Sequence, residues 1–377
     1  MNDRFKLKHL HIKGFKSFAF QGQQIAFKDV NVCIGPNAAG KSNLVSFFRM
    51  LNFMTTNALQ RFVGDQGYSD SILHFGSAVT PVMEAELVFA RDDGEFNRYE
   101  LTLAHASGGK LIFTREKAVW SGTDRSRPLE LELGAGHPES ALIQDAESGG
   151  PTSRFVLELL RKCQVFQFHD TSETAKIRNP GYINDARYLR GNAGNLAAFL
   201  YAMYQKEDTR PYYNRIVQHI RQVISGFGEF VLEPTAMNSE YIKLDWQEQG
   251  ASYRFGPHQL SDGSLRFMAM TTLLLQPPQN MPGLIILDEP ELGLHPSALS
   301  ALAGMVKSAA RKSQIILATQ SPRLVDEFGA DDVLVVERDV QTRASKVYRL
   351  DEVSLEQWLA RYTLSELWEK NILGGKP

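Results

Sequence analysis

Several things are scarce in this chain of 377 residues, and each shortage removes a class of explanation. Cysteine occurs twice, at Cys33 and Cys163, too few for a disulfide framework or a cysteine-held metal. Net charge is only −2, with 41 basic against 43 acidic residues, so no overall basic field draws nucleic acid or an anionic membrane to the chain. No run of ~18 apolar residues suits a membrane-spanning helix. The opening "MNDRFKLKHLHIKGFKSF" is basic but lacks the apolar stretch of a secretory leader. No repeat of fixed period is present. Glycine and proline recur throughout 64–257 and exclude a long heptad helix there. What is present is 43% apolar residues, enough for a sizeable core. A soluble, cytoplasmic protein of one large domain or two is expected.

The most informative early stretch is "IGPNAAGKSN", residues 34–43. Gly35, Pro36, Asn37, Ala38, Ala39, Gly40, Lys41 and Ser42 fit G-x-x-x-x-G-K-[ST], and Asn43 follows. Glycines let the backbone curl so that consecutive N–H groups face phosphate oxygens. The lysine reaches the β- and γ-phosphates, and the serine hydroxyl ligates Mg²⁺. The context fits as well. "VNVCI" is a short buried strand before the loop, and "KSNLVSFFRML" has helical apolar spacing after it, so a helix N-terminus adds its dipole to the anion site. A chance Gly/Ala turn with an accidental Lys-Ser is the plain alternative, which the rest of the chain must decide.

"LIILDEPELGLHP", residues 284–296, supplies the complement. Four apolar residues form a buried strand, and Asp288 and Glu289 stand at its carboxyl end, where open α/β sheets bind ligands. Asp288 is suited to hold Mg²⁺ through water, and Glu289 to polarise an attacking water. About twenty residues upstream, "HQLSDGSLRFMAMTTLLL" opens an apolar helix with Ser261, Asp262, Gly263 and Ser264. Alone this is an ordinary N-cap; before the acidic strand it becomes specific. Downstream, "SQIILATQSPRLVD" gives another buried strand ending in Thr319, Gln320 and Ser321.

Around these motifs the first forty residues alternate as strands, and 44–62 reads as helix. Strands return over 80–133 ("MEAELVFA", "RYELTLA", "LIFTREKAVW", "LELEL"). Segments 134–140 and 145–153 read as loose and polar. Residues 154–163 and 193–226 read as helices, the second interrupted near "EDTRP", and the strands "EFVLEP", "YIKLDWQE" and "SYRFG" follow.

Together, "IKGFKSF", "IGPNAAGKSNL", "LSDGS", "LIILDEPELGLHP" and "ATQSP" resemble the ATPase heads of SMC and RecF-type proteins, and the chain is similar to the predicted AAA-type ATPases of the OLD branch. The resemblance extends to "FHDTS" (168–172), "YLRGNAGNLAAFLY" (188–201) and "LWEKNILGG" (367–375), nearly the whole chain. It implies an α/β fold: an ABC-type, P-loop head with a mixed sheet, an antiparallel β lobe and a helical insert, without a long coiled coil. One head would span 1–377. Its lobe 1–133 carries the phosphate loop and antiparallel strands, 134–257 is a mainly helical insert with return strands, and 258–377 carries the signature, acidic and switch strands.

The resemblance also implies roles. "LSDGS" resembles the ABC signature, which would set Ser261, Asp262 and Gly263 against a nucleotide held by a second subunit. Gln320 stands where such ATPases carry a switch histidine; its amide can donate to phosphate but cannot take up a proton. Lys41, Glu289 and Gln320 would serve catalysis, Ser42 and Asp288 the metal, and Lys16 would join the nucleotide-binding set. In SMC-type heads a glutamine after a central strand watches Mg²⁺; His169, which follows "CQVFQF", would fill that place, with Gln167 as the competing choice.

The expected function is an ATP- and Mg²⁺-dependent switch. It works as a homodimer or higher even-numbered assembly, off the membrane, and controls a separately encoded effector such as a nuclease, with DNA or RNA reached directly or through that partner. OLD proteins add a Toprim nuclease, which needs a glutamate and a D-x-D pair; neither D-x-D nor [DE]-x-K occurs here, so the ATPase is expected without the nuclease. A stand-alone RecF-like repair ATPase is the rival, with Arg4, Lys6, Lys8, Lys13 and Lys16 as a DNA-facing strip; a solvated strand face is the plainer reading of those residues. A transporter subunit fits less well, given the SMC-like opening, the absent switch histidine and the long insert.

Overall fold

The computed structural model describes residues 4–123 and 127–375. Two six-stranded sheets organise it. In the central sheet Val30–Ile34 lies between Val333–Arg338 and Gln314–Ala318, followed outward by Leu284–Asp288 and then Cys163–Phe166. These five run parallel, and Ser345–Arg349 closes the far edge antiparallel to Val333–Arg338. Val30–Ile34, Leu284–Asp288 and Gln314–Ala318 are buried at every position. This explains their continuous apolar runs: a parallel strand covered on both faces has no polar side.

The second sheet is wholly antiparallel, in the order Gln23–Ala26, Lys6–Lys13, Val82–Ala90, Phe96–Ala106, Lys110–Ser121, Leu129–Gly134. Val82–Ala90 alternates strictly between buried and half-buried residues, as a sheet with one wet face requires. Its inward side chains, among them Leu87, Tyr99 and Leu101, share one core with Phe47, Phe48 and Leu51 of the helix Lys41–Met54 and with Ile286 and Ile316 of the central sheet. The opposite face of the central sheet packs on Asp262–Leu275, Pro296–Ala309 and two helices of the insert, Leu196–Gln205 and Arg210–Val223. The fold is therefore the expected α/β one with a mixed sheet and an antiparallel lobe. Among the described residues no helix exceeds 14 residues, so no long coiled coil is present, and none is long and apolar enough to cross a membrane.

The details differ in two places. The helix expected over 44–62 ends at Met54 and restarts as Leu59–Asp65. Thr55 and Thr56 turn their hydroxyls back onto the Asn52 and Phe53 carbonyls, and Asn57 takes φ 54°, which stops the helix although the apolar spacing continues. The segment 145–153, expected to be loose, is partly helical: residues 145–147 end the helix Ala141–Glu147, whose N-cap Ser140 accepts from the Leu142 amide, and 151–153 begin the helix Pro151–Arg161. Ser140 also binds the fully buried carboxylate of Glu116, which further accepts from the Tyr99 hydroxyl at 2.5 Å and the Ala141 amide at 2.8 Å. Both cysteines are buried core residues, their thiols pushed up to about 12 by desolvation.

Candidate nucleotide site

The glycine loop leaves the central strand at Ile34 and enters the helix at Lys41, its position set by what surrounds it. Gly35 and Gly40 take φ 151° and 123°, and a Cβ on them would stand 2.0 Å from the Val336 carbonyl and 2.1 Å from Ser345 Oγ. No other residue type fits either place. A small polar brace holds the loop from outside. Ser345 Oγ donates to the Ala39 carbonyl at 2.5 Å and lies 2.6 Å from Ser17 Oγ, so it accepts from the Ser17 hydroxyl, and Asn43 Nδ2 donates to the same Ser17 oxygen at 2.7 Å. The chain's tail closes the other side: Gly375 packs against Gly35, and its carbonyl accepts from the Trp368 indole. Pro36 is half-buried, and Asn37 and Ala38 are exposed on the loop's crest.

Lys41 is buried and donates to the Gly35 carbonyl at 2.5 Å and the Pro36 carbonyl at 3.1 Å. Burial lowers its pKa, opposed by the carboxylates of Glu289, Glu291 and Asp288. Ser42 is exposed at the first turn of the helix.

Asp288 ends the neighbouring strand. The Gln167 amide donates to its Oδ2 at 2.6 Å, while its buried Oδ1 has no hydrogen-bond partner. Burial raises this carboxyl's pKa, the Gln167 bond opposing. His169 reaches the backbone of the same residue, its Nε2 lying 2.9 Å from the Asp288 carbonyl. Of the two residues the sequence left open, Gln167 is the one on the carboxylate. Arg49, from the helix behind the glycine loop, in turn donates to Gln167 Oε1 at 2.5 Å.

Glu289 adopts φ 45°, a left-handed conformation rare for a glutamate and typical of sites where geometry outranks backbone comfort. Gln320 Nε2 donates to Glu289 Oε1 at 2.7 Å, and the Gln320 amide nitrogen donates to Glu291 Oε1 at 2.7 Å. Burial pushes the Glu291 carboxyl up.

Ser261 is the exposed N-cap of the helix Asp262–Leu275 and accepts from the Ser264 amide at 3.1 Å. A Cβ on Gly263 would lie 2.1 Å from the Gly293 carbonyl, so this helix start is pressed against the turn that follows the acidic strand. Asp262 pairs at 2.7 Å with Arg178, whose guanidinium also donates to the Thr171, Pro257 and Leu260 carbonyls at 2.7, 2.6 and 3.1 Å. Arg266 bridges the same region, donating to the Phe168, His169 and Leu292 carbonyls at 3.0, 2.9 and 3.1 Å. Sequence reasoning missed Ser17, Ser345, Arg178 and Arg266; Ser17 and Arg266 sit inside the quoted stretches "IKGFKSF" and "HQLSDGSLRFMAMTTLLL", but no spacing singled them out, and Ser345 and Arg178 lie in no motif.

Lys16 points its ammonium at Ser46 Oγ and Gln66 Oε1, both at 2.7 Å, one helical turn beyond Ser42. The other members of the basic strip are paired within the chain. Arg4 and Lys6 hold Asp29, Lys8 holds Asp92, and Lys13 holds Glu84. Each of these cations thus has an acidic partner within the chain, and those acidic side chains are partly exposed.

The oxygen set suits Mg²⁺. One carboxylate with a free buried oxygen and one hydroxyl at a helix start match an ion that takes one or two protein ligands and fills the rest with phosphates and water.

Comparison with known proteins agrees with this geometry. The profile of the family described as "AAA domain, putative AbiEii toxin, Type IV TA system" matches residues 30–326. No curated protein matches the chain. Among solved structures, it is similar to an SmcHead bound to the C-winged helix domain of ScpA, at 14% identity and TM-score 0.57, covering 93% of this chain and 99% of that one. It is also similar to an Smc head domain with an extended coiled coil bound to the C-terminal domain of ScpA, from Pyrococcus furiosus, at 14% identity and TM-score 0.51, covering 95% and 99%. At such identity the likeness is one of fold. The family match spans both the glycine loop and the acidic strand, so the chain belongs to the AbiEii-type AAA domain family, with a fold like that of SMC heads.

Proposed function

We propose that this chain hydrolyses ATP and works as a two-state switch assembled from two copies. The observation that carries the reading is the convergence of Lys41, Asp288, Glu289 and Gln320 at the carboxyl ends of three adjacent parallel strands. The glycine loop and the start of Lys41–Met54 would receive the phosphates through backbone N–H groups and the helix dipole. Lys41, kept close by its own loop carbonyls, would turn to the β- and γ-phosphates. Ser42 and Asp288 would hold Mg²⁺, which when bound supplies neutralising charge for the phosphate oxygens. Glu289, oriented by the Gln320 amide, would accept the proton of the attacking water. Gln320 stays neutral throughout, so it orients and cannot shuttle protons.

The exposed Ser261 at a helix start is suited to a second subunit's nucleotide. A head-to-tail pair around a two-fold axis closes with two such composite sites. ATP binding would engage the pair and hydrolysis release it, the bias coming from γ-phosphate contacts. The output we propose is control of a separately encoded, nucleic-acid-acting effector such as a nuclease, in a cytoplasmic defence or repair setting; this last step rests on analogy of fold.

Mixing tests the composite site. Inactive Lys41→Ala and inactive Ser261→Arg proteins should recover part of the ATPase activity together, because one intact site forms per mixed pair. Full activity of either variant alone would remove the composite site. Co-purification from the native host, with identification of bound chains and nucleic acid, tests the effector.

A further inference from the structure

The segment 185–191, whose last four residues begin "YLRGNAGNL", contributes no side chain to the nucleotide site, yet it is firmly held. Asn195, 3% exposed, accepts from the Arg190 amide at 2.9 Å and donates to the Asp185 and Tyr188 carbonyls at 2.8 Å each. One buried amide thus fixes the loop from beneath. On its outer side the fixed loop presents Arg187 and Tyr188, the guanidinium 5.2 Å from the ring centre, with Tyr188 52% exposed. A rigid loop that displays an aromatic ring and a cation outward is a recognition surface more readily than a packing one.

The loop forms one wall of a cleft of about 730 Å³, in the range of a small-molecule site. Arg161, Lys162, Arg187 and Arg190 line it, with Glu158 and Asp185 as the acidic residues. Glu158 pairs with Lys162 at 2.8 Å and Asp185 with Arg190 at 2.6 Å, which leaves the charge of Arg161 and Arg187 in excess. Gln164, Gln279 and Asn280 add amides that can both donate and accept. Stacking surface, excess cations and amides are the three elements that recognise a base with its phosphate.

The cleft floor touches the nucleotide site from behind. Asn52, on the helix that begins at Lys41, donates to the Cys163 carbonyl and accepts from the Val165 amide at 3.3 Å. Gly191 accepts from the Gln167 amide nitrogen at 2.8 Å. A ligand here would lean on both the glycine-loop helix and the strand that carries Gln167 to Asp288.

We propose that this cleft is a second site, for a nucleoside phosphate, supplied free or as the 5′-terminal nucleotide of a single strand, and that its occupancy modulates turnover. The binding claim stands without the ATPase reading; only the modulation rests on it. The test uses Lys41→Ala protein, so that the glycine loop lacks its cation. It is titrated with a fluorescent adenosine 5′-monophosphate analogue and, separately, with a short 5′-phosphorylated single-stranded DNA labelled at its 3′ end. Saturable binding of at least one probe is expected, weakened about tenfold or more by Arg187→Ala or Tyr188→Ala and kept by Tyr188→Phe. Binding of the mononucleotide assigns the free source, and binding confined to the DNA assigns the strand. Unchanged melting temperatures separate lost binding from lost fold, with Arg187→Gln as the substitute if Arg187→Ala unfolds. No saturable binding of either probe, or binding indifferent to Arg187 and Tyr188, overturns the proposal.

Discussion

The side-chain amide of Gln167 donates to Oδ2 of Asp288 at 2.6 Å, while His169, two residues on, meets only the carbonyl of that aspartate. The two contacts predict different phenotypes. Gln167→Ala should raise the Mg²⁺ concentration needed for half-maximal hydrolysis and slow turnover about tenfold or more, as one orienting hydrogen bond of ~1–3 kcal/mol is lost. His169→Ala should leave the Mg²⁺ requirement close to wild type. Mg²⁺ titrations of both variants decide; equal behaviour would remove Gln167 from the metal side of the site.

Glu289→Gln should bind ATP nearly as wild type yet turn over roughly 10²-fold or more slowly, because the proton acceptor is gone while the Gln320 contact can be remade. Lys41→Ala should instead weaken binding itself. Equilibrium binding and single-turnover hydrolysis on the two proteins separate these effects. Equal turnover of wild type and Glu289→Gln would dismiss Glu289 as the base.

Burial holds the Glu291 carboxyl above its ordinary range, so the folded state keeps a proton that the unfolded chain has released. Between the unfolded and folded pKa values the native state binds more protons, and stability therefore falls as pH rises through that window. Glu291→Gln still offers Gln320 an acceptor and removes the charge. The stability difference between Glu291→Gln and wild type should grow in the variant's favour as pH rises above the usual glutamate range. Urea unfolding of both proteins across that range measures it, and a constant difference would refute the buried-charge account.

Arg178, whose side chain is 8% exposed, satisfies three carbonyls and pairs with an exposed Asp262. Arg178→Met should cost about 2–4 kcal/mol, since buried acceptors lose their donors. Arg178→Lys should recover only part of that, because an ammonium cannot reproduce the planar fork. Chemical denaturation gives both numbers. A loss in Arg178→Met within ~0.5 kcal/mol of zero, the usual range for a surface change, would show that water replaces the guanidinium easily.

What the sequence made legible were the parts written contiguously. The glycine loop, the acidic strand and the switch strand each place their chemistry within a few residues of a buried apolar run, so pattern and structure coincide. Gln167 against His169 was not decidable that way. Residues two apart on an extended chain point the same way, and only the depth of the neighbouring strand's end chooses between them. The Ser17–Ser345 contact spans 328 positions, and Arg178 is a single arginine at the end of a one-turn 3-10 helix, Lys176–Arg178; no sequence pattern marks either. The break after Met54 was hidden because apolar spacing continues through it, and two threonine hydroxyls decide the backbone.

The place of Val30–Ile34 in the middle of the central sheet has a consequence for how the protein is made. Both of its neighbours, Gln314–Ala318 and Val333–Arg338, lie far downstream of it in the chain. At ~5–20 residues per second, the ribosome needs roughly fifteen seconds to a minute to deliver them after the glycine loop has emerged. The antiparallel sheet, built from 6–134 with neighbours mostly adjacent in sequence, can form within that wait and shelter the apolar face of Lys41–Met54. The candidate nucleotide site is then completed only after the antiparallel lobe has formed, and nascent chains halted before Gln314 should hold a folded antiparallel lobe that ignores nucleotide.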